Sequence, residues 1–360
     1  MVVGCGALGN EVLKNLALMG VGKITVVDFD RVEVDNLPKS VLYTPHDAAM
    51  RRPKVEAAAE GIRRLNKHTE VVCINGDIAY DVGLGTFRTV DVVIGCVDNR
   101  WARYSINRLC MRAGIPWVDG GIDGLEGTAR VFIPGINCYA CNLGPEGMKD
   151  MARRMSCTGA VRQQMMEGKV PTTSVVASVI GAVEAQEAIK LLHREEIENG
   201  SLTSLCGRMF YYDGEHLTTK IADFKAYDED CAVHEEWSPV MMAPLTTDST
   251  VAETIDVVSN ITHDDKVSIT LNDCFVDYVI RRSDNRKTEV MCASRYVADM
   301  VGKDEQLSST PLSGLYQNEY RTIDDSFPYM NLRLGDLGVP SLEVLHATSS
   351  SSDCYIGLER

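Results

Sequence analysis

The chain has 360 residues, 45% of them hydrophobic, and its 36 basic against 51 acidic side chains give a net charge of −15. At roughly 150 residues per domain that length argues for two domains, one large and one small, and so negative a surface repels phosphate backbones and excludes general nucleic-acid binding. No stretch offers the roughly 18 uninterrupted apolar residues of a membrane helix and no basic-then-apolar signal peptide opens the chain, so a soluble protein of the cytoplasm or nucleus is expected.

Met1–Val3 runs as a short strand into Gly4-Cys5-Gly6-Ala7-Leu8-Gly9, and Val12, Leu13, Leu16 and Met19 follow at helical spacing until Gly20 and Gly22. Ile24 to Asp28 reads as the next buried strand. Strand, glycine turn, helix, strand opens a doubly wound, mostly parallel α/β sheet of Rossmann type. Its glycines admit a ligand close to the backbone, and its helix N-terminus presents N–H groups to an anion. Asp28 follows Gly9 by 19 residues, the distance at which a carboxylate reaches a ribose hydroxyl; as a strand-end residue it can equally cap a turn. Three residues before Gly4 are few for a central strand, so relatives are expected to carry further residues upstream.

The glycines alone suggest NAD, but the basic residues downstream do not. Lys39, Arg51, Arg52 and Lys54 cluster within 16 residues of an acidic protein. Pro53 suits a first helical position, with Val55 to Leu65 continuing the helix. Lys54 therefore sits where the helix dipole disfavours a cation, which makes sense if an anion lies close by. The cluster reads as a cradle for a triphosphate; the plainer alternative is a solvated basic surface. Val92 to Cys96 is a buried strand ending at Val97-Asp98-Asn99, on the side where such sheets bind ligands. Asp98 is placed to hold magnesium or polarise a reacting group, or else to cap the helix Arg100–Arg112. Both jobs coexist if Asn99 supplies the cap.

The DxD of Asp28 and Asp30, Asn36 in an NLxR-like stretch, Lys54 entering a helix and Asp98-Asn99 after a strand together resemble the ubiquitin-activating enzyme superfamily. That group includes the adenylyltransferases of molybdopterin and thiamine biosynthesis. The resemblance covers about residues 1–236 and implies ATP and Mg2+. It places Gly4, Gly6, Gly9 and Asp30 at the nucleotide, Asp28 on its ribose, Asn36, Lys39 and Lys54 on its phosphates, and Asp98 on magnesium. Lys39 stands where an arginine is usual, keeping the charge but losing the bidentate fork. The family's arginine finger has no matching position.

Twelve cysteines without secretory context point to metal or thiol chemistry. Cys138-x-x-Cys141 and Cys231-x-x-His234 are two short-spaced pairs about 90 residues apart. They can close a tetrahedral zinc site with no open position, hence structural rather than catalytic. Relatives commonly carry paired CxxC motifs at these places; the alternatives are four side chains buried in a core, or a thioredoxin-like CxxC. Residues 144–170 are polar and glycine-bounded and read as a mobile crossing loop. There Cys157 follows Arg153 and Arg154, which favour a thiolate. The resemblance implies that Cys157, before Thr158, accepts the modifier as a thioester; otherwise it is one more cysteine, as in relatives that stop at adenylation. Cys5, Cys73, Cys96 and Cys110 fall in apolar patterns and are expected in the core.

The helix beginning near Thr172 and Thr173 and running to Leu192 is apolar on most of its surface, so it is expected to be buried on two sides. The resemblance implies a dimer interface there, homomeric or heteromeric; a core helix fits the pattern as well. Residues 237–247, broken by Pro239 and Pro244, read as a linker. Beyond it, Thr250 and Glu253 form a capping box, and strands are expected at 267–271, 275–280, 289–292, 342–346 and 354–358. This 248–360 unit is a small α+β domain. It resembles the ubiquitin-fold domain with which activating enzymes recruit a conjugating enzyme; a dimerisation or regulatory module is the alternative.

The expected function is therefore ATP-dependent activation of a ubiquitin-like protein. Its C-terminal carboxylate would be adenylated, passed to Cys157 and transferred to a conjugating partner. The rivals are an adenylyltransferase serving sulfur-carrier or peptide-modification chemistry without a thioester, a nucleotide-binding scaffold with weakened catalysis, and an NAD oxidoreductase, against which the basic residues argue.

Overall fold

The computed structural model describes residues 1–156, 173–224, 227–304, 307–350 and 353–360. Among these, 1–79, 87–148 and 173–236 form one compact unit, and 80–86, 149–156 and 237–360 another. The first half of the chain runs β1 (Val2–Val3), α1 (Ala7–Leu18), β2 (Lys23–Val27), α2 (Pro45–Ala49), α3 (Lys54–Leu65), β3 (Glu70–Ile74), α4 (Leu84–Phe87), β4 (Val93–Gly95), α5 (Arg100–Ala113), β5 (Trp117–Asp123) and β6 (Glu126–Phe132). It continues through α6 (Gly144–Ser156), α7 (Ser174–Leu192), α8 (Arg194–Glu198), β7 (Arg208–Asp213) and β8 (Thr218–Asp223).

Eight strands make one sheet in the order β3-β2-β1-β4-β5-β6-β7-β8. The pairs from β3 to β5 are parallel and those from β5 to β8 antiparallel. The chain leaves β1 toward β2 on one side and returns on the other at β4, so a topological switch point lies beside β1, where open α/β sheets bind ligands. Val3 is in register with both Val27 and Gly95, which aligns the carboxyl ends of the three strands.

On α1, Val12, Leu13, Leu16 and Ala17 face the core, the two leucines and the valine contributing about 1.5–3 kcal/mol each relative to exposure. Met19, expected on that face, is the exposed C-cap residue before Gly20 turns the chain at φ +83°. Cys5, Cys96 and Cys110 are buried as expected, but Cys73 is exposed because β3 is the sheet's edge strand. On α7, Val176, Ile180, Ala185 and Leu191 are buried while Val175 and Ala182 lie exposed, so in the single chain this helix buries one face rather than two. Residues 144–156, expected as loop, are helical; Pro145 stands in the first turn, where a missing N–H costs nothing, and this outweighs the glycines that read as loop signals. Cys157 and the rest of that stretch to residue 172 lie outside the described residues.

The second unit contains β9 (Val240–Ala243), α9 (Val251–Thr262), β10 (Ser268–Arg281), β11 (Arg286–Ala293), α10 (Val297–Lys303), β12 (Leu315–Ile323), β13 (Val344–Thr348) and β14 (Asp353–Leu358). The sheet runs β11-β10-β13-β14-β9, with β12 also on β10. β9 lies inside the stretch read as a linker; Pro239 and Pro244 flank it, as suits a short edge strand whose ends need not donate to a ladder. Two expected strands are one long β10 with irregular register between Thr270 and Phe275. The capping box is present: Glu253 accepts from the Thr250 N–H at 2.8 Å and the Thr250 hydroxyl accepts from the Glu253 N–H at 3.2 Å. Val251, Ile255 and Val258 of α9 pack with Ile269, Phe275, Leu345 and Ile356. Residues 80–86 belong to this unit despite their place in the chain. The Gly85 N–H donates to the Leu342 carbonyl at 2.8 Å, and Asp81 pairs with Arg295 at 2.8 Å. Gly83 packs so closely that a Cβ there would stand 2.4 Å from the Ser341 carbonyl oxygen. Among the described residues no helix is long and apolar enough to cross a membrane.

Candidate active site

At the switch point the chain from β1 enters the glycine turn. Gly4 adopts φ +94°, and a Cβ there would lie 2.3 Å from the Cys96 carbonyl oxygen. A Cβ on Gly9 would lie 1.9 Å from the Gly4 carbonyl oxygen, so these two glycines are fixed by backbone packing. Gly6 differs: a Cβ there meets nothing within 4 Å, which leaves room for a ligand at the start of α1. Asn10, fully buried, locks the turn. Its Nδ2 donates to the carbonyls of Cys5 at 2.8 Å and Gly6 at 3.0 Å, and its Oδ1 accepts from the Leu42 N–H at 3.0 Å. The Tyr43 hydroxyl donates to the same Cys5 carbonyl. Neither residue stands out in the sequence, since an Asn at helical spacing among apolar residues carries no signal of its own.

Asp28 follows β2 and accepts from two backbone groups, the Cys5 N–H at 2.6 Å and the Asp30 N–H at 2.8 Å. It thus ties the glycine turn to the turn after β2. A carboxylate offers about four lone-pair sites, so capacity for a further donor is left. Burial pushes its pKa up, against the opposing pull of Lys54 and the two N–H groups. Lys54 opens α3 and is 9% exposed; its Nζ donates to the Asp30 carboxylate at 2.6 Å and its N–H to the Asp30 carbonyl at 2.9 Å. Burial works to lower the Lys54 pKa, but Asp28 and Asp30 together hold it above the ordinary lysine value. The anion that a cation at a helix start requires is therefore, in this structure, the chain's own DxD.

The structure does not bring every candidate to equal standing. Asn36 lies in a 3-10 turn, Val34–Lys39, and its Oδ1 accepts from the Glu33 N–H at 2.8 Å, a capping role. Lys39 ends that turn, half-buried. Asp98 is exposed beyond β4. Asn99, not Asp98, caps α5, accepting from the Ala102 N–H at 2.8 Å, which leaves the Asp98 carboxylate clear of the capping task. With strands spaced about 4.8 Å, the in-register ends of β2, β1 and β4 put Asp28, the glycine turn and Asp98 on one sheet edge. That edge thus carries an exposed carboxylate, a glycine turn with open space at Gly6 and a lysine 9% exposed.

Beside this edge lies a buried charged cluster that the sequence does not disclose. Asp119 of β5, 0% exposed, accepts from Arg103 Nε at 2.8 Å and from Arg130 Nε at 3.1 Å. Glu184 of α7, also 0% exposed, receives the Cys96 thiol at 3.9 Å. Burial first, and Asp119 second, push the Glu184 pKa well up. The available signal is polar letters in an apolar frame, Asp119 in a buried strand and Glu184 in an apolar helix, and a single such letter does not name its partner.

Cys138, Cys141, Cys231 and His234 place their donor atoms within 4.8 Å of one another. Asn107 of α5 donates to Cys138 Sγ at 3.2 Å, His234 Nε2 faces Cys141 Sγ at 3.4 Å, and Tyr227 stacks on the His234 ring with centroids 3.7 Å apart. Three thiols and one imidazole form a donor set suited to zinc. Cys138 follows β6, whose Phe132 is in register with Trp117 at the start of β5. The cluster thus lies toward the amino ends of the parallel strands, away from the edge that carries Asp28 and Asp98.

Residues 1–233 match the model of the ThiF family. The SAMP-activating enzyme E1 of Haloferax volcanii is 33% identical over 237 residues, which cover 65% of this chain and 78% of that protein. The molybdopterin-synthase adenylyltransferase of Salmonella typhimurium is 33% identical over 194 residues, 53% of this chain and 72% of that one. The adenylyltransferase and sulfurtransferase MOCS3-1 of Zea mays is 31% identical over 232 residues, 64% of this chain but only 45% of the maize protein. Among solved structures, E. coli MccB with succinimide superposes at a TM-score of 0.50 with 21% identity, over 65% of this chain and 64% of that chain, a likeness of fold.

Proposed function

The chain belongs to the ThiF family, and on that premise we propose that it is an ATP-dependent adenylyltransferase that activates the C-terminal carboxylate of a small ubiquitin-like protein. One observation carries the reading: the open glycine turn, the Asp28–Asp30–Lys54 cluster and the exposed Asp98 share one edge of the sheet, on either side of its switch point. A carboxylate oxygen of the modifier attacks the α-phosphorus of ATP, the bond to the β-phosphate oxygen breaks, and pyrophosphate leaves with an acyl-adenylate formed. There is little covalent work for side chains here, so positioning and charge neutralisation do most of the catalysis. Asp28 holds the ribose, Gly4, Gly6 and Gly9 let the phosphates approach, and Lys54 exchanges its contact with Asp30 for phosphate oxygens, with Lys39 and Asn36 nearby. Asp98 would hold magnesium, which when bound would neutralise phosphate charge. Zinc at Cys138, Cys141, Cys231 and His234 ties residues separated in sequence and takes no part in the reaction.

In the fuller form of the reading, the Cys157 thiolate attacks the acyl carbonyl and AMP leaves, giving a thioester. The α+β unit then recruits a conjugating enzyme, and the partly exposed outer face of α7 meets a second subunit. A second reading has support in relatives named as adenylyltransferases or adenylyltransferase–sulfurtransferases: adenylation for sulfur-carrier or peptide-modification chemistry, with no thioester. ATP–pyrophosphate exchange with candidate modifiers ending in Gly tests the common core, and exchange absent with every candidate while ATP still binds would favour a scaffold instead. Cys157→Ala separates the two readings. Retained exchange with loss of a thiol-sensitive modifier adduct supports the thioester; an unchanged adduct removes Cys157 from the mechanism.

A further inference from the structure

We infer that Arg103, anchored by Asp119, is the positioning residue that fixes the Val97–Asn99 turn and thereby the aim of the Asp98 carboxylate. The inference deepens the reading of Asp98 as the residue that holds magnesium and rests on it. Arg103 lies in the first turns of α5 with its side chain 13% exposed. Its guanidinium reaches three acceptors: the Val97 carbonyl at 2.7 Å and the Gly120 carbonyl at 2.9 Å through Nη2, and Asp119 Oδ1 at 2.8 Å through Nε. The Val97 carbonyl belongs to the peptide group whose nitrogen is that of Asp98, so the bond sets the plane from which Asp98 projects. One residue later Asn99 is held by the helix it caps. Asp98 therefore sits between two anchored neighbours; it is exposed, and its Oδ1 accepts from Asn99 Nδ2 at 3.3 Å.

The energetics favour a geometric purpose. An ion pair this buried adds little net stability over an apolar pair of the same volume, because desolvation consumes most of the attraction. What the pair does provide is a rigid fork that staples the turn after β4 to strand β5. Lysine carries its three donors on one nitrogen at the end of a flexible stem and lacks the fixed separation of Nε and Nη2 used here. Arg130 shares Asp119 from the β6 side. It is therefore the natural control, since its loss perturbs the same buried carboxylate without removing the guanidinium on Val97.

The test uses the full chain and a fluorescent ATP analogue, bound first in EDTA and then with rising Mg2+. Arg103→Lys and Asp119→Asn are expected to leave affinity in EDTA within about twofold while raising the Mg2+ needed for half-maximal tightening by roughly tenfold or more, the usual cost of losing a group that orients a metal ligand. Arg130→Gln is expected to shift that midpoint far less. Asp98→Asn sets the scale by abolishing the Mg2+ response. Thermal unfolding is recorded for all four, and the isosteric Asp119→Asn serves if Arg103→Lys does not fold. A Mg2+ midpoint unmoved in Arg103→Lys and Asp119→Asn, or an equal shift in Arg130→Gln, overturns the inference while leaving Asp98 its role. A Mg2+ response that survives Asp98→Asn overturns the parent reading and this one with it.

Discussion

Stripping the metal from the Cys138–Cys141–Cys231–His234 cluster should cost the larger unit much of its stability. A metal held there bridges Cys141 and Cys231, 90 residues apart in the chain. Restricting a loop of that size in the unfolded chain is worth about 4–5 kcal/mol by the chain-entropy estimate for a cross-link. That figure holds for an ion that stays bound in the unfolded chain; an ion released on unfolding stabilises by its binding free energy instead, which makes the figure a lower bound. At about 2–4 °C per kcal/mol for a unit of this size, the unfolding midpoint should fall by roughly 10–20 °C. The assay is scanning fluorimetry on protein as purified and after a high-affinity chelator, with metal content by mass spectrometry and Cys231→Ser as the genetic equivalent. Restored zinc should recover the midpoint in the wild type and not in Cys231→Ser. Protein that purifies without metal, or a midpoint the chelator leaves in place, would show that the four side chains are ordinary core residues and refute the reasoning.

Gly9→Ala forces a Cβ to 1.9 Å from a backbone oxygen and should destabilise the unit by about 1–3 kcal/mol or more, whereas Gly6→Ala enters open space and should spare stability while weakening nucleotide binding. Urea midpoints beside ATP-analogue affinities check the pair, and equal stability loss in both would contradict the packing described. Lys54→Met leaves Asp28 and Asp30 without their cation and should lower pyrophosphate exchange roughly 100-fold, the scale expected for one preorganised charge; near-normal exchange would move the phosphate site elsewhere. Glu184 supplies a pH test. Its folded-state pKa lies above the ordinary glutamate value, so the folded chain keeps a proton that the unfolded chain has released, and stability falls as pH rises through that window. Glu184→Gln cannot titrate there, so the stability difference should turn in its favour by about 1.4 kcal/mol per pH unit from roughly pH 5 upward until the folded pKa is passed. Denaturation curves that stay parallel with pH would show an ordinary carboxyl.

Local signals are legible where one residue acts through its own backbone. The glycine turn, the start of α3 at Lys54, the capping box at Thr250 and the alternation at the start of β10 are all written in short windows. The ThiF match covers residues 1–233, which hold the first two of these windows. Short pieces beside proline or glycine are harder. β9 hides between two prolines, and α6 hides behind Gly144 and Gly147, whose loop signal masks the first-turn signal of Pro145. The buried Asp119–Arg103–Arg130 group is invisible for another reason. Its members lie on α5, β5 and β6, and only the register Asp119 to Arg130 puts two of them side by side. In the opposite sense, Asn36 and Lys54 look like pure ligand contacts in the sequence, and the structure gives each a partner inside the protein, Glu33 for one and Asp30 for the other.

The seven residues 80–86 change what a fragment of this protein can be. A piece cut at residue 237 would carry β9 to β14 yet lack the Asp81 carboxylate that pairs with Arg295 and the Gly85 amide that reaches Leu342. Arg295, 13% exposed at its side chain, would be left with Asp273 as its surviving acidic partner. Anyone expressing the C-terminal third for binding work would need to splice that heptad back in, by fusion or as an added peptide, because here the folding module is not a contiguous stretch of gene.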